Sequence, residues 1–134
     1  MERFIIQRDS DIGIAVVGIQ SIARRLEFEP DQISRLATAV SELATNICKY
    51  SPESGGDLVV SSEESEDGKL QLKVQVRDNG PGISDVEQAL MDHYSSSGTL
   101  GLGLPGVKRI VDEFDIISKP GEGTVVCISV KQRR

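Results

Sequence analysis

The stretch Leu70-Gln71-Leu72-Lys73-Val74-Gln75-Val76-Arg77-Asp78-Asn79-Gly80-Pro81-Gly82 decides the fold. Leu70, Leu72, Val74 and Val76 point one way, and Gln71, Lys73, Gln75 and Arg77 the other. Such strict alternation marks a strand with one face buried and one face in water. The strand runs directly into Asp78-Asn79-Gly80-Pro81-Gly82, where glycines permit a sharp turn or a close approach of backbone to something else. A carboxylate placed there can accept a hydrogen bond from an amino group. Taken alone, the segment reads equally well as a Pro-Gly turn after a strand.

Upstream, residues Arg3 to Arg8 read as a short strand, and Asp11 is expected to cap a helix running to about Leu26. Its apolar positions are Ile12, Ala15, Ile19, Ile22 and Leu26. Glu29-Pro30-Asp31 breaks the chain and starts a second helix, in which Ile33, Leu36, Val40, Leu43 and Ile47 form an unbroken apolar stripe. Ser51-Pro52 and Gly55-Gly56 end it. A strand follows over about 57–62, and the acidic run from Glu63 closes in Asp67-Gly68, a hairpin-turn signal.

Downstream, a short helix is expected over 84–91 and a polar loop over 92–99. Gly101-Leu102-Gly103-Leu104-Pro105-Gly106 then opens a third helix, with Leu104, Val107, Val111 and Phe114 on one side. Strands near 115–118 and 124–130 close the chain, joined by Pro120-Gly121-Glu122-Gly123. The order β-α-α-β-β-(α)-loop-α-β-β implies an α/β two-layer sandwich, with a mixed, largely antiparallel sheet and helices on one face. No linker or repeat divides the chain, so residues 1–134 are read as one domain.

Composition narrows the function classes. A chain of 134 residues buries enough surface to need no disulfide or metal. Its net charge of −6, with basic residues clustered in nothing larger than short pairs such as Lys108-Arg109, argues against nucleic acid as partner. Cys48 and Cys127 sit in apolar runs and read as buried, reduced thiols. With one histidine, His93, and no CxxC pair, a structural zinc site is not expected. No segment reaches a membrane span and the N-terminus lacks a signal-peptide pattern, so a cytoplasmic protein without membrane association is expected.

Three places resist explanation by packing alone. Glu42 and Asn46, four apart, stack on one helix face, roughly 140° and 100° from the apolar stripe by helical periodicity. Asp78 and its glycines end the central strand. Gly101 and Gly103 precede a helix whose unpaired N–H groups suit an anion, and Pro105 fits an early helical position. Neither a P-loop nor a Rossmann fingerprint is present. Each place alone is a weak signal.

In this order and spacing, the three resemble the GHKL ATPase/kinase superfamily, which shares the Bergerat ATP-binding fold. Glu42-xxx-Asn46 resembles its N box, Asp78-x-Gly80-x-Gly82 its first glycine box, Gly101-x-Gly103 its second, and Gly121-x-Gly123-Thr124 its closing box. Within it, Ser41-Glu42-Leu43-Ala44-Thr45-Asn46 and Gly103-Leu104-Pro105-Gly106-Val107-Lys108-Arg109, followed by Asp112-Glu113-Phe114, resemble the RsbT-type switch kinases of bacterial stress signalling. Tyr50 stands where the wider superfamily often has histidine, as that branch tends to have.

The resemblance implies ATP and Mg²⁺ as cofactors, with Asn46 holding the metal. It implies that Asp78 recognises the adenine amino group, assisted by Thr124 and the glycines Gly80 and Gly82. Ser97, Gly98, Thr99, Leu100, Gly101, Leu102 and Gly103 would belong to the nucleotide lid and phosphate cradle, and Glu42 would be the general base. It further implies STAS-domain scaffold or antagonist proteins of a stressosome-type complex as substrates, and a PP2C-type phosphatase as a second partner. A rival within the superfamily is an anti-sigma factor with serine kinase activity. A rival of another class is a degenerate domain acting as an adaptor, against which the intact boxes speak.

Overall fold

The computed structural model describes residues 1–51, 53–82 and 103–133. The helix expected over 84–91, the loop over 92–99 with His93, and the candidate residues Ser97, Gly98, Thr99, Leu100, Gly101 and Leu102 lie outside them. Among the described residues the elements are β1 (Glu2–Ile6), α1 (Asp9–Arg25), α2 (Pro30–Tyr50), β2 (Gly56–Glu64), β3 (Leu70–Asp78), α3 (Gly103–Ile110), β4 (Glu113–Ser118) and β5 (Thr124–Lys131). The strands form one five-stranded sheet in the order β1-β2-β3-β5-β4. All four pairings are antiparallel, so the parallel neighbour of a mixed sheet does not occur among them.

The alternation in β3 is realised as read: Leu72, Val74 and Val76 are buried, while Gln75 and Arg77 are exposed. The apolar face meets the stripe of α2, in which Ile33, Leu36, Val40, Leu43 and Ile47 are all buried. Ala37, Ala39 and Ala44 widen that stripe and let α2 sit close to its neighbours. Pro30 starts α2 without losing a hydrogen bond, and the Gln32 side chain accepts from the Glu29 N–H at 3.2 Å. Gln32 also donates to the Lys131 carbonyl at 2.7 Å, tying the start of α2 to the end of β5.

Three details differ from the sequence reading. Helix α1 starts at Asp9, two residues before Asp11, whose carboxylate instead accepts from the Gln7 and Arg8 N–H groups at 2.9 and 3.1 Å. Asp11 therefore holds the first turn from inside the helix, the position where a reciprocal cap works. Helix α3 ends at Ile110, so Phe114 is a strand residue. The Asp112 N–H donates to the Ser129 carbonyl and the Asp112 carboxylate accepts from the Lys131 N–H, which draws the chain into the sheet at that point. Cys127 is exposed rather than buried, because the odd-numbered residues of β5 face the open side of the sheet; Cys48 is half-buried.

Candidate functional site

The core face of the sheet carries apolar columns that all end at one level. On β3 the column is Leu72, Val74, Val76 and then Asp78; on β5 it is Val130, Ile128, Val126 and then Thr124; on β4 it is Phe114, Ile116 and then Ser118. Asp78 pairs with Thr124 and Thr124 with Ser118, so the three polar residues form a row across adjacent strands. Period-2 alternation puts them on the same face as the core. A polar row at the rim of an otherwise apolar layer is a candidate binding floor, with apolar atoms on one side and hydrogen-bonding groups on the other.

Asp78 Oδ1 accepts from the Gly80 N–H at 2.9 Å, which folds the loop back on its own carboxylate and leaves Oδ2 as a further acceptor. The Ser118 hydroxyl donates to the Gly123 carbonyl at 3.1 Å and lies 2.8 Å from the Thr124 hydroxyl. Sequence reading passed over Ser118. The signal was available, since Phe114, Ile116 and Ser118 alternate inward and Ser118 is the only polar member.

The loop Asp78–Gly82 is gripped on both sides. On one side is the end of α2: Ser51 donates from its backbone to Ile47, and its hydroxyl donates to the Gly55 carbonyl at 3.1 Å. That same carbonyl accepts from the Asn79 N–H at 3.3 Å, and a Cβ at Gly80 would stand 2.8 Å from the Tyr50 carbonyl oxygen. On the other side is the β4–β5 hairpin, where the Gly121 N–H donates to the Pro81 carbonyl at 2.7 Å. Gly82 and Gly123 have φ of +78° and +79°, and a Cβ at either would overlap a backbone carbonyl, of Lys119 and of Asp78 respectively. Here the glycines serve both a left-handed backbone and a contact too close for any side chain.

Glu42 and Asn46 are half-buried on α2, beside the fully buried Leu43 and Ile47. Asn46 precedes Tyr50 by one turn, roughly 6 Å along the axis, and the Tyr50 carbonyl lies against the loop at Gly80. Helix α3 packs against α2, with Pro105, Gly106 and Val107 buried, and Gly103 is its first residue. The structure thus brings together Asp78, Gly80, Gly82 and Thr124 as one floor, with α2 alongside. A separate cavity of about 190 Å³, lined by Met1, Ile22, Leu26, Val60 and Leu72 among others, opens under the end of α1 and shares no residue with this floor. Among the described residues no group of three or more His, Cys, Asp or Glu could hold a metal, and no helix is long and apolar enough to cross a membrane.

Residues 31–134 match the family described as histidine kinase-, DNA gyrase B- and HSP90-like ATPases. The chain is 42% identical over 107 residues to the serine/threonine-protein kinase RsbT of Bacillus subtilis, covering 80% of this chain and 78% of the relative. It is 30% identical over 131 residues to an anti-sigma F factor of Clostridium beijerinckii, covering 94% and 90%. Among solved structures, the RsbU and RsbW domains of a Mycobacterium tuberculosis protein superpose with a TM-score of 0.65 at 14% identity. That match covers all of this chain but 34% of the other, and it shows the fold alone. With Gly80, Gly82 and Gly123 packed around one floor and these relatives, the chain belongs to the histidine kinase-, DNA gyrase B- and HSP90-like ATPase family, on the branch that holds the RsbT-type serine/threonine kinases.

Proposed function

We propose that the chain is a Mg-ATP-dependent kinase that phosphorylates serine or threonine on STAS-domain scaffold or antagonist proteins of a stressosome-type complex, in the cytoplasm. In its released form it would activate a PP2C-type phosphatase. The observation that carries the nucleotide part is the polar row Asp78–Thr124–Ser118, set at the end of apolar columns and bordered by the loop Asp78–Gly82. Kinship with RsbT carries the choice of acceptor.

Phosphoryl transfer passes through a loose transition state, so the protein contributes mainly position and charge. Asp78 accepts from the exocyclic amino group of adenine, with Thr124 beside it, and the apolar ends of the columns bound the base. Gly101 and Gly103 lead the chain into α3, whose first N–H groups suit the phosphates. Asn46 offers an amide oxygen, which fits Mg²⁺: this ion takes oxygen ligands, keeps several waters and is completed by substrate phosphates rather than by a protein cage. When bound, it neutralises phosphate charge. Glu42, one turn before Asn46, accepts the proton of the incoming hydroxyl. As that proton leaves, the hydroxyl oxygen bonds to the γ-phosphorus, the bond from phosphorus to the β,γ-bridging oxygen breaks, and ADP departs.

A second reading is favoured by the anti-sigma F factors, which align over nearly the whole chain. It keeps the same chemistry but adds sequestration of a sigma factor. The deciding experiment follows radiolabel from γ-labelled ATP to a STAS-domain protein, with wild type, Glu42→Gln and Asn46→Ala. The expected result is label on the partner, reduced at least about 100-fold in both variants. Label absent while ATP still binds would leave the anti-sigma or adaptor reading, which a pull-down with sigma factors separates. Absence of ATP binding would sink the nucleotide reading altogether.

A further inference from the structure

The hydrogen bonds around Ser118 fix more than the shape of the hairpin. A carbonyl oxygen has no proton to give, so the 3.1 Å contact with Gly123 uses the single proton of the Ser118 hydroxyl. In the 2.8 Å contact with Thr124 the Ser118 oxygen must then accept, and Thr124 donates. Thr124 has one hydroxyl proton, and it points along the sheet to its neighbour. What Thr124 turns toward the floor is therefore lone pairs. Asp78, paired opposite it, is a carboxylate with acceptors only, one of them already held by the Gly80 N–H.

We infer that Ser118 is a positioning residue that fixes the polarity of the base pocket, making it accept a 6-amino purine and refuse a 6-oxo purine. The inference rests on the nucleotide reading above and deepens it. An amino group offers protons to both acceptors, directly or through a shared water. A 6-oxo base sets a carbonyl oxygen against lone pairs, with no donor to meet it. Sites built around one hydrogen-bond pattern discriminate strongly, because the wrong partner leaves buried groups unpaired. Without Ser118 the Thr124 hydroxyl is free to rotate and offer its proton, and the refusal weakens. Ser118 acts through Thr124, so its removal changes selectivity more than affinity for the correct base.

The test is equilibrium binding of ATP and of inosine triphosphate, which carries the 6-oxo base, to the whole chain with Mg²⁺. Wild type, Ser118→Ala and Ser118→Thr are compared, with thermal unfolding of the free proteins alongside. Wild type is expected to favour ATP by about 100-fold or more. Ser118→Ala is expected to narrow that ratio about tenfold, chiefly by binding inosine triphosphate more tightly, and Ser118→Thr to restore it. If Ser118→Ala does not fold, Ser118→Cys, which keeps the volume and weakens the acceptor, is measured in its place with the same expectation. An unchanged ratio, even with both affinities lowered, overturns the inference and leaves the nucleotide reading standing. Failure of wild type to bind ATP overturns both.

Discussion

Asp57 shows how one residue can hold three strands. It lies on the open face of β2, buried despite that position, and accepts from Arg77 at 2.9 and 3.0 Å and from Arg3 at 2.6 Å. Arg77 on β3 and then Arg3 on β1 hold its carboxyl below the ordinary value of 3.8, against the upward push of burial. Because the folded state holds this proton less readily than the unfolded state, the stabilisation is fully present above the ordinary value. It is lost as pH falls through the lowered one. Both guanidiniums reach water, so screening limits the Coulomb part and the hydrogen bonds to the buried carboxylate dominate. Asp57→Asn is expected to cost about 1–3 kcal/mol at neutral pH, with a shallower loss of stability on acidification, both measured by urea unfolding across pH. Sequence did not reveal this cluster, because residues 3, 57 and 77 meet only through strand register. By contrast Asp78 was legible from its position at the end of an alternating strand.

At the scale of elements, the β4–β5 hairpin separates two reasons for glycine. Gly121 and Gly123 share φ of +79°, but a Cβ at Gly121 meets nothing within 4 Å, whereas at Gly123 it runs into the Asp78 carbonyl. Gly121→Ala is therefore expected to cost only the left-handed backbone, about 1–2 kcal/mol. Gly123→Ala adds a clash that must push β3 and β5 apart beside the floor; a total of about 3 kcal/mol or more and loss of nucleotide affinity are expected. Thermal unfolding and ATP titration of the two variants check the contrast; equal effects would refute it. The closing glycine box was readable as a motif. Its separate parts were not, since the approach of Gly123 to Asp78 depends on the pairing of strands some forty-five residues apart. The end of α3 was misplaced for a similar reason: Phe114 continues the helical stripe in sequence, but the hydrogen bonds of Asp112 to β5 favour a strand.

Across the whole molecule, the proposed nucleotide floor lies at one end of the sheet and a separate fastening lies at the other. Gln132 is buried there, donates to the carbonyls of Leu26 and Glu27 at 2.7 and 3.2 Å, and accepts from the Leu70 N–H at 3.3 Å. It joins the turn after α1 to the start of β3. Gln132→Leu leaves those backbone groups unpaired and is expected to cost about 1–3 kcal/mol. Nucleotide affinity at the opposite end should stay within about twofold, in keeping with the independence of distant sites. The two-layer architecture was legible throughout from apolar periodicity, down to the five residues of the α2 stripe. The sheet order was not, because no local signal says that the final strand lies between β3 and β4.

That order has a consequence during synthesis. Until Thr124 to Lys131 have left the ribosome, β4 has no neighbour among the described strands and the inner edge of β3 is bare. Translation delivers the keystone last, at about 5–20 residues per second. A nascent chain carrying its helices, its first glycine box and even β4 still lacks half the floor, so on the proposed reading nucleotide capture is expected to begin only when the strand that completes the sheet arrives.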